Sequence, residues 1–261
     1  MEWKTAITLN KGNEIYLRGY NLLELVGKIS FTEAIYLTLK GEFPSEKEVK
    51  MLDAIFTSIV DHGIAVPSVM ALRNVISGGN KLHVGVAAGV LTFGDYHGGA
   101  LEDAMRLLQE WANKSDNLRE TAKELVEKAI KEKMLLAGFG HRYYKDFDPR
   151  AKRLIDLAKE IGFFGKHSEF ALYLEEEIYK IKGKKLVLNV DGAIAGITSD
   201  MGFDWRVGKG FFIIGRIPGL VAHAFEELTM EKPFRRLDED KEVNYIGEPP
   251  RELPEYIKNR K

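Results

Sequence analysis

GFGHRYYKDFDPRA, residues 138–151, is the stretch on which the reading of this chain turns. His141 follows Gly138-Phe139-Gly140, so the backbone can bend sharply there and a ligand can approach closely. Asp148-Pro149-Arg150 has the form of a helix start, with Asp as the cap and Pro at the first helical position. The helix is expected to run to about Ile161. Two more histidines sit beside glycine, His97 in YHGGA (96–100) and His62 in VDHG (60–63). Alone, each reads as a hydrogen-bonded structural histidine; together in one chain of 261 residues they point to a site.

Outward from this stretch the chain reads mostly as helix. Ser30-Phe31-Thr32-Glu33 and Ser45-Glu46-Lys47-Glu48 have capping-box spacing and open helices to about Leu39 and Val60. Pro67-Ser68 opens another, closed by Gly78-Gly79. Residues 81–93 are apolar all round, which predicts an interior helix. Residues 99–113, 117–134, 168–180 and 209–228 follow helical spacing, while 186–190 fits strand or helix by periodicity alone. Glu2–Ile7 and Glu14–Arg18 around Asn10-Lys11-Gly12-Asn13 predict a small N-terminal β-hairpin. Four of the 8 prolines (233, 249, 250, 254) fall in the last 31 residues, which read as an extended arm.

Composition narrows the function. With 38 Lys plus Arg against 39 Asp plus Glu, no basic stripe for nucleic acid is expected. Apolar runs are interrupted well before the roughly 18 residues of a membrane span, and MEWKTAITLNKGNE lacks a signal-like apolar stretch, so a cytoplasmic protein is expected. With 0 Cys there is no thiolate metal site and no cysteine nucleophile. HExxH and G-x-S-x-G are absent, no His pair has helical metal-ligand spacing, and neither Gly138-Phe139-Gly140 nor Gly208-Lys209-Gly210 makes a nucleotide loop. No metal site is therefore expected.

Two further residues carry chemistry. Arg216 interrupts the apolar run 211–220, where an arginine is costly unless it meets an anion. It reads either as a buried ion pair with Glu226 or Glu227, or as a clamp for a substrate carboxylate. Asp191, after the apolar run of 188–190, reads either as a partly desolvated base or as the N-cap of the segment from Gly192. Arginines and histidines near glycine turns suggest a small polycarboxylate substrate.

At this point the motifs line up with a known family. GFGHRYYKDFDPRA resembles the citrate synthase signature around its second catalytic histidine, and YHGGALE (96–102) that around the first. NVD (189–191) and IIGRIPGLVAH (213–223) resemble the catalytic aspartate and the later arginine helix, and residues 18–45 the N-terminal region. Ordinary citrate synthases are longer; here the helices that usually separate Pro44-Ser45 from the helix before Asp61-His62 are missing. VDHGIAVPSVMALR (60–73), GVLTFGDYHGGALEDAM (89–105) and NVDGAIAG (189–196) look closer to the citrate-synthase-like module of ATP-citrate lyase, and closer still to stand-alone citryl-CoA lyases. His97 is kept where ATP-citrate lyase lacks a histidine.

The resemblance implies an all-α, two-domain helical fold. Residues 1–98 and 203–261 would form the large domain and 99–202 a small CoA-binding domain, in a homodimer or higher homo-oligomer. It implies His97, His141 and Asp191 as catalytic residues and His62, Arg150, Arg216 and Arg235 as substrate ligands, with Arg235 or its neighbour Arg236 reaching the partner subunit. Gly138, Gly140, Arg142 and Lys145 would contact CoA, although the basic residues near 142–153 equally read as a solvated helix face. The implied function is cleavage of citryl-CoA to acetyl-CoA and oxaloacetate. The alternatives are a compact citrate or 2-methylcitrate synthase and a non-catalytic CoA-binding subunit. No permanently bound cofactor is implied; the CoA thioester is substrate, and a citryl-CoA synthetase is a possible partner.

Overall fold

The computed structural model of the chain describes residues 2–260. Its first element is an antiparallel sheet of three short strands, β1 (Thr8–Lys11), β2 (Glu14–Leu17) and β3 (Tyr20–Asn21), with β2 in the middle. The expected hairpin is present, but its first strand lies later than Glu2–Ile7, because the reversal is made tightly at Gly12, whose φ is +62°. The third strand was not expected. It follows from a second left-handed turn at Arg18-Gly19, where the Arg18 side chain is held by the carbonyl of Thr38.

The remainder is helical. A single-turn α1 (Leu22–Leu25) leads to α2 (Phe31–Lys40) and α3 (Glu46–Ile59), both entered through complete capping boxes at Ser30/Glu33 and Ser45/Glu48. There follow α4 (Pro67–Ser77), α5 (Leu82–Leu91), α6 (Ala100–Ala112), α7 (Leu118–Lys131) and α8 (Pro149–Ile161). Next come α9 (Lys166–Lys182), α10 (Val190–Asp200) and α11 (Gly208–Met230). Two single-turn helices, α12 (Glu239–Glu242) and α13 (Glu255–Lys258), punctuate an otherwise extended and almost wholly exposed C-terminal arm.

Helices α6 to α10 pack on one another, with α10 in contact with α6, α8 and α9. Helices α3, α4 and α5 pack around α11. One continuous core joins the two groups, from Ile55 and Leu72 through Met105 and Leu125 to Phe170, Ile194 and Phe211. Each fully buried side chain of this kind contributes about 1.5–3 kcal/mol. Contacts of α11 with α6 and of α3 with α8 bring the groups together where the motif residues lie.

One expectation fails. Helix α5, apolar all round, is not interior: Leu91 is 85% exposed and Val84 38%, and only Gly85 and Gly89 are fully buried. Its outer face continues onto α11, where Val221, Phe225 and Leu228 are also exposed. All-round apolarity therefore does not record burial within one copy of the chain. Among the described residues no helix is long and apolar enough to cross a membrane.

Candidate functional site

The loop before His141 and the segment before Asp191 are laced together. Phe139 and Leu188 form an antiparallel bridge, Gly140 N–H donates to Val187 O at 2.7 Å, and Asn189 N–H donates to Gly138 O at 3.0 Å. Segment 186–189 is thus extended rather than helical. Gly138 has a φ of +88°, and a Cβ there would stand 2.7 Å from the Cα of Gly192, so both glycines are needed for the two segments to touch. Asn189 is the hinge: its Oδ1 accepts from Gly192 N–H at 3.1 Å, capping α10, and its Nδ2 donates to Gly140 O at 2.9 Å.

That cap removes one of the two readings of Asp191. Asn189 caps α10, and Asp191 lies in the first turn with its Oδ1 buried and without a hydrogen-bond partner. Burial raises its pKa to about 6, against the pull of Arg150 and Arg216 and with the help of Asp148. A carboxyl group so placed changes protonation near neutrality.

Asp148 does more than start α8. Its carboxylate accepts from Arg150 N–H at 2.9 Å, grips the Arg150 guanidinium through Nε at 3.1 Å and Nη2 at 2.9 Å, and accepts from Val190 N–H at 3.1 Å. Burial alone would raise its pKa, but the hydrogen bonds and charge of Arg150 hold it below the usual carboxylate value. One buried anion therefore orients Arg150 and ties the start of α8 to that of α10. The sequence displays it only as a cap.

His141 is oriented by its own loop. Its Nδ1 accepts from Tyr143 N–H and Tyr144 N–H, both at 3.1 Å, so the ring proton of the neutral form sits on Nε2, on the side of Arg150. The ring stacks on Tyr144 at 4.4 Å and meets His62 edge-on at 6.3 Å. Burial, with Arg150 and Lys145 nearby, keeps the His141 pKa below its ordinary value despite Asp148.

His97 precedes α6 in a loop closed by mutual hydrogen bonds with Gly94. Its Nε2 lies 2.8 Å from Ser68 Oγ, and its ring lies edge-on to Phe93 and Phe212. Burial first, then the positive field of Arg216, lowers its pKa to about 4. His97 is thus neutral at physiological pH, a hydrogen-bonding group rather than an acid. Ser68, fully buried in the first turn of α4, leaves no sign of this contact in the sequence beyond marking a helix start.

Arg216 is 3% exposed. It is not the partner of Glu226 or Glu227: Glu227 is held by Arg73 at 2.6 Å and Arg235 at 2.7 Å, and Glu226 lies near Arg73 and His223. Instead Arg216 Nε donates to Ile59 O at 2.7 Å, its guanidinium lies over Phe212 at 4.8 Å, and its Nη1 is buried with no partner. An unpartnered guanidinium N–H beside Asp191 and Arg150 is arranged to receive an anion.

These groups meet at two adjoining cavities. The smaller, of about 180 Å³, is lined by His62, His97, His141, Arg150, Asp191 and Arg216. Burial and the charges of Arg150, Arg216 and His141 depress the pKa of His62, so the positive charge of this pocket comes from its arginines, faced by the Asp191 carboxyl. The larger, about 800 Å³, is a cleft between α6 and residues 134–140, lined by Trp111, Gly138 and Gly140. Tyr96, His97, Gly98, Asn189 and Asp191 border both.

Three expected residues lie elsewhere. Arg142 and Lys145 are exposed and line neither cavity; Lys145 Nζ turns back onto the carbonyls of His141 and Arg142. Arg235 also lies outside both, paired with Glu227 and Glu231 and anchored through its N–H to Ser77 Oγ at 3.1 Å.

Residues 39–237 match the family model described as citrate synthase, C-terminal domain. The chain belongs to the citrate synthase family. Within it, the chain is 60% identical to citryl-CoA lyase from Hydrogenobacter thermophilus, whose structure superposes with a TM-score of 0.91 over 98% of this chain and 99% of that one. The structure of ATP citrate lyase from Methanothrix soehngenii, in complex with citrate and coenzyme A, is 25% identical with a TM-score of 0.79, over 95% of this chain and 42% of that one. Citrate synthase 2 of Bacillus subtilis (strain 168) is 29% identical over 205 residues, 78% of this chain and 54% of that protein. The chain spans about half the length of the curated relatives it matches.

Proposed function

We propose that the chain cleaves citryl-CoA to acetyl-CoA and oxaloacetate. The observation that carries this reading is the junction of the two cavities. A small pocket with two arginines suits a dicarboxylate, a long cleft beside it suits the pantetheine of CoA, and His97 and Asp191 stand where they meet. The likeness to the Hydrogenobacter lyase over nearly the whole of both chains supports it.

In this reading Arg150, Arg216 and His62 hold the carboxylates of the citryl group. Nε2–H of His141 donates to the carbinol oxygen, the hydroxyl proton leaves to solvent water, and the bond between the carbinol carbon and the thioester methylene breaks as the carbinol becomes the ketone of oxaloacetate. The electron pair moves into the thioester, leaving the acetyl-CoA enolate. His97 donates a hydrogen bond to the thioester oxygen as charge develops, a contribution of roughly 10²–10³-fold. Asp191 delivers its proton to the enolate carbon and acetyl-CoA leaves. Because Nδ1 of His141 is taken by two backbone N–H groups, its Nε2–H is the group left to donate to the carbinol oxygen and to the ketone oxygen that replaces it.

In the same reading residues 99–202 form the CoA-binding unit, with the backbone at Gly138 and Gly140 along the thioester chain, and 1–98 and 203–261 form the larger unit. The protein acts in the cytoplasm, CoA is substrate rather than resident cofactor, and a reaction joining citrate to CoA must precede it. The exposed apolar face of α5 and α11 is covered by a second copy of the chain. Sedimentation at twice 29.5 kDa is expected, and a species at the monomer mass at micromolar concentration contradicts this.

The test is direct. Purified protein given citryl-CoA without ATP and with EDTA should release acetyl-CoA and oxaloacetate. Activity that dies in EDTA and returns with a divalent ion would sink the metal-free mechanism. Formation of citrate and free CoA from acetyl-CoA plus oxaloacetate would instead identify a synthase. Ser68→Ala should slow cleavage about five- to ten-fold, the value of one hydrogen bond that orients His97. An unchanged rate in that variant removes Ser68 from the account.

A further inference from the structure

His223 lies on α11 about two turns beyond Arg216, on the same face of the helix. This face grips the backbone that carries His62. Arg216 Nε donates to Ile59 O at 2.7 Å, and His223 Nε2 lies 3.1 Å from Asp61 Oδ1. Between these two contacts Gly219 packs so closely on Val60 that a Cβ would overlap the Val60 carbonyl oxygen. Asp61 spends its other oxygen on Gly63 N–H at 2.9 Å, closing the turn around His62.

The far side of the His223 ring also meets an anion. Its Nδ1 is buried, has no hydrogen-bond partner, and lies 3.5 Å from Glu226 Oε2. The charged groups facing the ring are thus Asp61 from the loop and Glu226 from α11, with Arg73 of α4 behind Glu226 at 3.4 Å.

We propose that His223, set between Asp61 and Glu226, is a positioning residue that fixes the 59–63 loop and through it the ring of His62. It explains why the helix that supplies Arg216 carries a second polar residue against the same loop, facing away from substrate. The effect on ligand binding rests on the reading of His62 as a carboxylate ligand; the effect on the loop does not.

The experiment uses the full chain and ring-nitrogen NMR of its histidines without ligand, followed by calorimetric titration with oxaloacetate. In His223→Ala the His62 ring signals should shift and broaden while those of His167 stay in place. Oxaloacetate affinity should fall about ten-fold. His223→Gln, whose amide N–H can still reach Asp61, should restore the His62 signals and hold affinity within about three-fold of wild type. In a His62→Gln background His223→Ala should cost less than about two-fold more, because both changes act through one group. His62 signals in His223→Ala that coincide with wild type would overturn the proposal, as would a full ten-fold loss in the His62→Gln background. A wild-type protein that ignores oxaloacetate would count against the substrate reading alone, and the His62 signals would still decide the role of His223.

Discussion

Asp191→Asn is expected to abolish deuterium uptake into the methyl of acetyl-CoA, measured in heavy water with oxaloacetate bound, while the fold and CoA binding persist. Asn189, not Asp191, caps α10, so the substitution removes no cap. It replaces a buried group that changes protonation near pH 6 by one of equal size that cannot. In the exchange direction Asp191 is the base, so wild-type exchange with oxaloacetate bound should rise with pH, with its midpoint above the ligand-free value of about 6, and then level off. In the cleavage direction the acid form is needed. Arg150 and Arg216 pull the Asp191 pKa down, and a bound dicarboxylate neutralises them. The basic limb of kcat should therefore lie at higher pH than that of kcat/KM.

The same substitution has a signed effect on stability. The folded-state pKa of about 6 exceeds the ordinary 3.8, so the fold favours the neutral acid. That contribution is full below the ordinary value and is lost as pH rises through about 6. Asparagine, neutral throughout, escapes the loss, which is on the order of 3 kcal/mol. Asp191→Asn should melt progressively higher than wild type as pH goes from 4 to 8. Parallel melting curves across that range, or exchange at the wild-type rate, would show that Asp191 is not the titrating base.

Arg216→Ala should cost oxaloacetate affinity about 2–5 kcal/mol, as loss of one side of a buried charge pair does. The melting temperature should change little in comparison. Without ligand, Arg216 makes one hydrogen bond, to Ile59 O, and leaves Nη1 buried and unpartnered, so its deletion removes a desolvated group with an unmet N–H while opening a small cavity. Arg216→Met, which fills the space, separates the two effects and should lose affinity equally. A collapse in melting temperature with normal affinity in the remaining protein would make Arg216 a structural residue.

How much of this was legible in the sequence depended on the range of the signal. Capping boxes at Ser30 and Ser45 and the Asp148-Pro149 start are written within four residues, and each appears where expected. The glycine-flanked histidines were visible because tight turns need glycine locally. Which acid answers which base was not, because pairing is decided across the fold. Arg216 could equally have met Glu227 until the structure showed Glu227 taken by Arg73, 154 residues away. Ser68 meets His97 across 29 residues, and nothing in either neighbourhood announces it. Asp191 and Asn189 are both good caps, and only the register of α10 against Gly138 assigns the task. The charged side chains of Arg142 and Lys145 are exposed outside the cleft, while Gly138 and Gly140 line it, a division that charge alone does not mark in the sequence.

Incubating citryl-CoA with the purified protein in heavy water, trapping the oxaloacetate and weighing the acetyl-CoA tests the central claim most directly. The account predicts stoichiometric oxaloacetate and an acetyl-CoA carrying a single deuterium in its methyl group, placed there from Asp191. Citrate and free CoA as the products, or unlabelled acetyl-CoA, would contradict it.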